Sequence, residues 1–144
     1  MKTMFYQKGV GLIEVLITAL LLSTSLLALS SLQARSLMFN NSAYLRSQAN
    51  IFAYDIIDRI RISKSIPPQS FNIGFEDALP SGTEQQNIEV KQWRTNLSNS
   101  IAGAKGQINC DANGLCTVQI RWAEQNSSGN TTEDESTFLY TVKL

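Results

Sequence analysis

A chain of 144 residues with 12 basic side chains, 12 acidic side chains and no histidine has room for one membrane anchor and one small domain, not for two substantial cores. Charge so evenly balanced gives no electrostatic basis for nucleic-acid binding, and the lack of histidine excludes Cys/His zinc sites and Ser-His catalysis. No nucleophile has a recognisable base, no glycine-rich phosphate loop is present and the acids are scattered, so no catalytic residue, metal or cofactor is expected.

Residues 1–9 carry Lys2 and Lys8 and no acid. Residues 10–32 follow with Glu14 as their one charge and no proline, a run long and apolar enough to cross a bilayer as a helix. The positive-inside rule keeps the basic end in the cytoplasm and exports the remainder. Ala28-Leu29-Ser30 has the form of a secretory cleavage site, which would release a soluble domain, but the helical pattern runs unbroken through it. Met4 is an alternative start that would shorten the leader to six residues.

An acid inside an apolar run costs about 2.5–3.5 kcal/mol at a helix centre, and less near the interface, so Glu14 calls for a partner. The stretch Gly9-Val10-Gly11-Leu12-Ile13-Glu14-Val15-Leu16, directly behind Lys8, resembles the class III signal of type IV prepilins and pseudopilins. That resemblance implies a prepilin peptidase cut between Gly9 and Val10, with glutamate as the fifth residue of the processed chain. It also implies that Glu14 of an incoming subunit neutralises the N-terminal amine of one already assembled. The spacing makes physical sense, because an ammonium on Val10 would sit at the positive end of its own helix dipole, a pairing that a carboxylate relieves. Val10 and Gly11 depart from the residues commonest at those places in the family, phenylalanine or methionine and threonine. The bland alternative is an uncleaved single-pass anchor with Glu14 near the headgroups.

Beyond residue 32 the pattern turns amphipathic without a breaker. Leu45, Ala49, Phe52, Ile56 and Ile60 share one helix face, and charges that include Asp55, Asp58, Arg59 and Arg61 lie opposite. Asp55 and Arg59 are placed as an i,i+4 pair. Pro67-Pro68 ends the pattern, so one helix of about 80 Å is expected over residues 10–65, at ~1.5 Å per residue. Ser47 and Tyr54 interrupt the face too often for a sustained coiled coil. The pattern Ala43-Tyr44-Leu45-Arg46-Ser47-Gln48-Ala49, followed by Ala53-Tyr54-Asp55 and Asp58-Arg59-Ile60-Arg61, resembles the matching segment of the type IV pilus modification proteins, the PilV family of minor pilins. The four charges are either a solvated, salt-bridged face or a contact to the domain or a neighbouring subunit.

Residues 66–83 hold all three prolines with Gly74 and Gly82, and are expected as a surface loop with a short extended piece at residues 71–75. Thr83-Glu84-Gln85-Gln86 has the form of a capping box. Val90, Trp93, Leu97 and Ile101 then predict a second helix over residues 84–102, with Trp93 as a core anchor and a Gly103-Ala104-Lys105-Gly106 turn.

From there the period is two. Ile108 and Cys110, then Cys116, Val118, Ile120 and Trp122, then Phe138, Tyr140, Val142 and Leu144 predict three antiparallel strands. A three-residue Ala112-Asn113-Gly114 loop, with Gly114 left-handed, sets Cys110 opposite Cys116 and Ile108 opposite Val118, close enough for a disulfide. A two-residue Asn113-Gly114 turn would offset the cysteines. Export favours oxidation, and a free redox pair is the alternative, although the C-x5-C spacing is not thioredoxin-like. Residues 124–135 read as a polar hairpin tip with four acids.

The fold expected is therefore α+β, with the family resemblance implying a pilin-like layout: leader 1–9, membrane and assembly half-helix 10–32, amphipathic half-helix 33–65, and a globular periplasmic domain 66–144 packed on that second half. The resemblance further implies a non-enzymatic minor pilin in the bacterial inner membrane, single-pass, that joins other minor pilins and the major pilin through the inner-membrane assembly platform. A pseudopilin of type II secretion, a membrane-anchored adhesin or binding module, and a membrane-tethered enzyme are the other classes.

Overall fold

A 51-residue helix, α1 (Leu12–Ile62), leads the chain in the computed structural model, which describes residues 11–124 and 134–144. A 3-10 turn (Pro68–Phe71), helix α2 (Gln85–Ser100) and strands β1 (Lys105–Cys110), β2 (Leu115–Glu124) and β3 (Asp134–Lys143) follow. The strands form one antiparallel sheet in the order β1-β2-β3, which makes the fold α+β. The chain divides into two compact units at residues 39 and 40. The described part of the first, residues 11–39, is helical from Leu12 onward and exposes every side chain.

The second unit holds the core. Its share of α1 presents Ala49, Ala53, Ile56, Ile57 and Ile60, all buried, with Leu45 and Phe52 packed at the edge. The buried stripe is wider than the five-residue face read from periodicity, since Ala53 and Ile57 belong to it too. Val90, Trp93 and Leu97 supply the face of α2, Ile101 follows at its C-cap, and Cys116, Val118, Ile120 and Trp122 supply the face of β2. Trp93 is fully buried and its indole Nε1 donates to the Phe52 carbonyl of α1 at 2.9 Å, so it is the expected anchor.

Several boundaries differ from expectation. Helix α1 ends at Ile62, three residues before the position inferred from Pro67-Pro68. Ser63 turns its hydroxyl back to the Arg59 carbonyl, and the Ile66 amide closes onto Ser63, so residues 63–66 form a turn that sets Ile66 against the core before the prolines begin. The capping box does not form. Glu84 is the N-cap without a side-chain cap, and Gln86 bonds the Glu84 carboxylate instead of a main-chain amide. Helix α2 is shorter than 84–102, and Lys105 and Gly106 belong to β1 rather than to the turn, where only Gly103 adopts a positive φ, of 71°.

The proline-rich connection is not merely a surface loop. Phe71 is fully buried, Ile73 nearly so, and Ile73 exchanges main-chain hydrogen bonds of 3.0 and 2.9 Å with Ile108 on the free side of β1. Hydrophobic side chains among prolines can enter a core when an open strand edge receives their backbone.

The β1-β2 turn follows the three-residue reading. Gly114 has φ of 80°, Cys110 pairs with Cys116 and Ile108 with Val118. The cysteines form a disulfide across a Cα separation of 4.0 Å. Asp111 adds a device not read from the sequence: its Oδ1 accepts the amides of Asn113 at 2.9 Å and Leu115 at 2.8 Å. Strand β3 begins at Asp134, opposite Glu124, and the expected polar tip falls largely on residues 125–133, outside the described residues.

Candidate functional site

Between Leu12 and Leu32 the helix carries large apolar side chains on all sides, from Leu12, 78% exposed, to Leu32, 63% exposed. Its most apolar 18-residue window has a mean hydropathy of 2.3 and none of it is buried, so the helix is long and apolar enough to cross a membrane. The polar side chains in this stretch suit a water-free surround. The hydroxyls of Thr18, Ser23, Thr24, Ser25 and Ser30 each donate to a helix carbonyl three or four residues earlier, at 2.7–3.1 Å.

Glu14 is the exception. It lies in the first turn of α1, where the Glu14 amide closes onto the Gly11 carbonyl at 2.9 Å and a carboxylate is favoured by the helix dipole. The side chain is exposed and has no ion-pair partner among the described residues. Gly9 and Val10, the expected cut, lie outside the described residues.

The charged face of α1 resolves into two kinds of contact. Arg59 is half-buried and makes a contact between elements: its guanidinium bonds Asp55 at 3.1 Å and reaches across to Glu89 of α2 at 2.5 Å. These two carboxylates raise its pKa against the desolvation that is the largest opposing effect. Asp58 and Arg61, by contrast, form an exposed i,i+3 pair at 2.9 Å.

Arg94 was not singled out by any motif. Its guanidinium is buried under α2 and donates to four main-chain carbonyls, those of Gly74, Phe75, Asp77 and Gly106, tying residues 74–77 and β1 to the helix. Desolvation lowers its pKa, and the charges of Asp77 and Glu76 offset this in part. The sequence signal would have been an arginine beside Trp93 on a mostly apolar helix face, which periodicity alone treats as solvated. A cavity of about 330 Å³ opens beside it, lined by Phe75, Leu79, Thr95 and Ser98 among others. At the surface nearby, Glu76 bridges Lys105 and Arg121, a cross-strand pair of like charges, and the Arg121 guanidinium lies 4.3 Å above the Phe75 ring.

No group of three or more His, Cys, Asp or Glu side chains that could hold a metal occurs among the described residues. The cysteines are both consumed by the disulfide and buried. The described residues thus comprise an exposed apolar helix with a single acid in its first turn and a separately packed, disulfide-closed unit. The chain matches no protein-family profile, no curated protein and no solved structure.

Proposed function

We propose that this chain is a minor pilin of the PilV type, a structural subunit cut by prepilin peptidase after Gly9 and used in the initiation of type IV pilus assembly. The observation that carries the reading is the helix of residues 12–32: apolar on every side, wholly exposed, and interrupted only by Glu14, the fifth residue after Gly9. Lipid solvates such a helix in the inner membrane, with the basic leader in the cytoplasm and the disulfide-bearing unit in the periplasm. There Glu14 is the one expensive group, costing up to about 2.5–3.5 kcal/mol at depth, and a neighbouring subunit's Val10 ammonium would relieve it. The same carboxylate then favours transfer of the helix from lipid to a bundle of like helices. No chemistry beyond this is assigned, and the role is that of a building block beside other minor pilins and the major pilin.

The sequence of residues 42–61 supports the PilV assignment over a type II secretion pseudopilin, with which the signal and the helix would be shared. The deciding experiment is the intact mass and N-terminal sequence of the protein purified from its native membrane. A chain beginning at Val10 is the expected result; a chain beginning at Met1 or Met4 makes it an ordinary anchor and ends the assembly reading.

A further inference from the structure

The seam between α1 and β3 is the most lightly covered part of the core. The inward side chains of β2 are buried, whereas Phe138, Tyr140, Val142 and Leu144, which carry the same sheet face across β3, are only partly covered. Arg59 ties α1 to α2, and the Cys110–Cys116 bridge closes β1 on β2. No ion pair or disulfide joins α1 to β3 among the described residues. What meets across this seam is a pair of phenols. Tyr54, which interrupts the apolar stripe of α1, and Tyr140 of β3, opposite Val118, lie 4.6 Å apart between ring centres with their planes tilted by 49°.

Rings this close bring their facing carbons to van der Waals contact, about 3.5–4.0 Å, without any movement of the backbone. Burial first, and then the neighbouring Tyr54 hydroxyl, hold the Tyr140 phenol above its usual range, so the two hydroxyls stand near one another and Tyr140 keeps its proton in neutral solution. Tyr54 is 46% exposed and Tyr140 half-buried, so a diffusible oxidant reaches both. Both belong to the compact unit of residues 40–144. Tyr44 is also exposed, at 58%, but it stands about 15 Å along α1 from Tyr54 at ~1.5 Å per residue, with no ring contact among the described residues.

We infer that Tyr54 and Tyr140 form a site of oxidative cross-linking, at which a one-electron oxidant joins α1 to β3 through a carbon–carbon bond between the two rings. The oxidant is hydrogen peroxide acting through a peroxidase-type or redox-metal catalyst. Each phenol gives one electron to the catalyst and one proton to water, which leaves two phenoxyl radicals in contact. Their unpaired electrons combine in a bond between the ring carbons beside the hydroxyls. The hydrogens on those carbons then move to the oxygens, restoring both hydroxyls and both aromatic rings. The chain loses two hydrogen atoms in all, and their two electrons and two protons reduce one hydrogen peroxide to two waters. Coupling within the chain outruns coupling between chains because the contact is already made; effective molarities of well-positioned groups reach about 10⁵ M or more. The bond closes a loop over residues 54–140 and fastens the outermost strand to the long helix. The reaction asks nothing of Gly9 or Glu14 and stands apart from the assembly reading.

The test treats the full chain in detergent with a haem peroxidase and dilute hydrogen peroxide. The expected product is a monomer lighter by two hydrogen atoms, with the blue fluorescence of a biphenol, whose digest contains a peptide pair joined between residues 54 and 140. Its melting temperature should rise by about 10 °C or more, since a closed loop of this length removes much entropy from the unfolded chain. Tyr54→Phe and Tyr140→Phe keep both rings and should still melt cooperatively, yet each should lower the yield of cross-linked monomer at least about ten-fold. Tyr44→Phe should leave the yield unchanged. Cross-links found only between chains, a cross-linked monomer that survives Tyr54→Phe, or tyrosines left intact by a mixture that couples free tyrosine in a separate sample would each overturn the inference.

Discussion

Gly106 lies directly under the indole of Trp93, where an added Cβ would run into Cη2 and Cζ3 of a fully buried ring that cannot swing away. Gly106→Ala should therefore cost about 1–3 kcal/mol by forcing the helix off the sheet, read as a lower denaturant midpoint at unchanged slope. The Glu76 carboxyl is held below the usual carboxylate range, first by its hydrogen bond from Lys105 and then by the charges of Lys105 and Arg121, against desolvation. Because the folded value is the lower one, the contact is present above the ordinary carboxylate range and is lost as pH falls through the folded value. Lys105→Ala should move the Glu76 titration midpoint upward in a carboxyl-detected NMR titration, and an unmoved midpoint would show that Arg121 alone sets it.

At the level of elements, the hairpin of β1 and β2 is secured twice, by the Asp111 carboxylate inside the turn and by the Cys110–Cys116 bridge at its base. The closed loop is short, so constraint of the unfolded chain accounts for about 2 kcal/mol in the loop-entropy treatment. Cys110→Ser should lower the melting temperature of the full chain in oxidising buffer by a corresponding amount and leave membrane insertion unchanged; an unaltered melting temperature would mean that the bridge does not stabilise the hairpin. Arg59 works between elements. Its contacts to Asp55 and Glu89 tie α1 to α2, so its distance along α1 from the apolar face is no guide to its role.

For the molecule as a whole, the assembly reading separates two steps that depend on different residues. Gly9→Leu should block processing and leave a heavier, membrane-bound precursor on an intact-mass measurement, because in this reading the peptidase cuts directly after a glycine, whose place a bulky side chain would fill. Glu14→Ala should be processed normally yet be depleted from sheared pili relative to the membrane pool by at least about ten-fold, matching loss of roughly 1.4 kcal/mol of amine pairing. Unimpaired incorporation of Glu14→Ala would remove the pairing from the mechanism while leaving the anchor in place.

Features that depend on near neighbours in the chain were legible in the order of residues alone. Hydrophobic period placed the long helix, α2 and the three strands, since a change from 3.6 to 2 is written in consecutive residues, and the turn chemistry of Ala112-Asn113-Gly114 fixed the register that brings Cys110 to Cys116. The apolar character of residues 12–32 and the isolation of Glu14 were equally local. Contacts between residues distant in sequence emerged only in the folded chain. Phe71 and Ile73 enter the core because β1 has an edge to receive them, and Arg94 is buried because four carbonyls converge on it. Such features arise from satisfying backbone groups across the fold, a condition that no periodicity along the chain records.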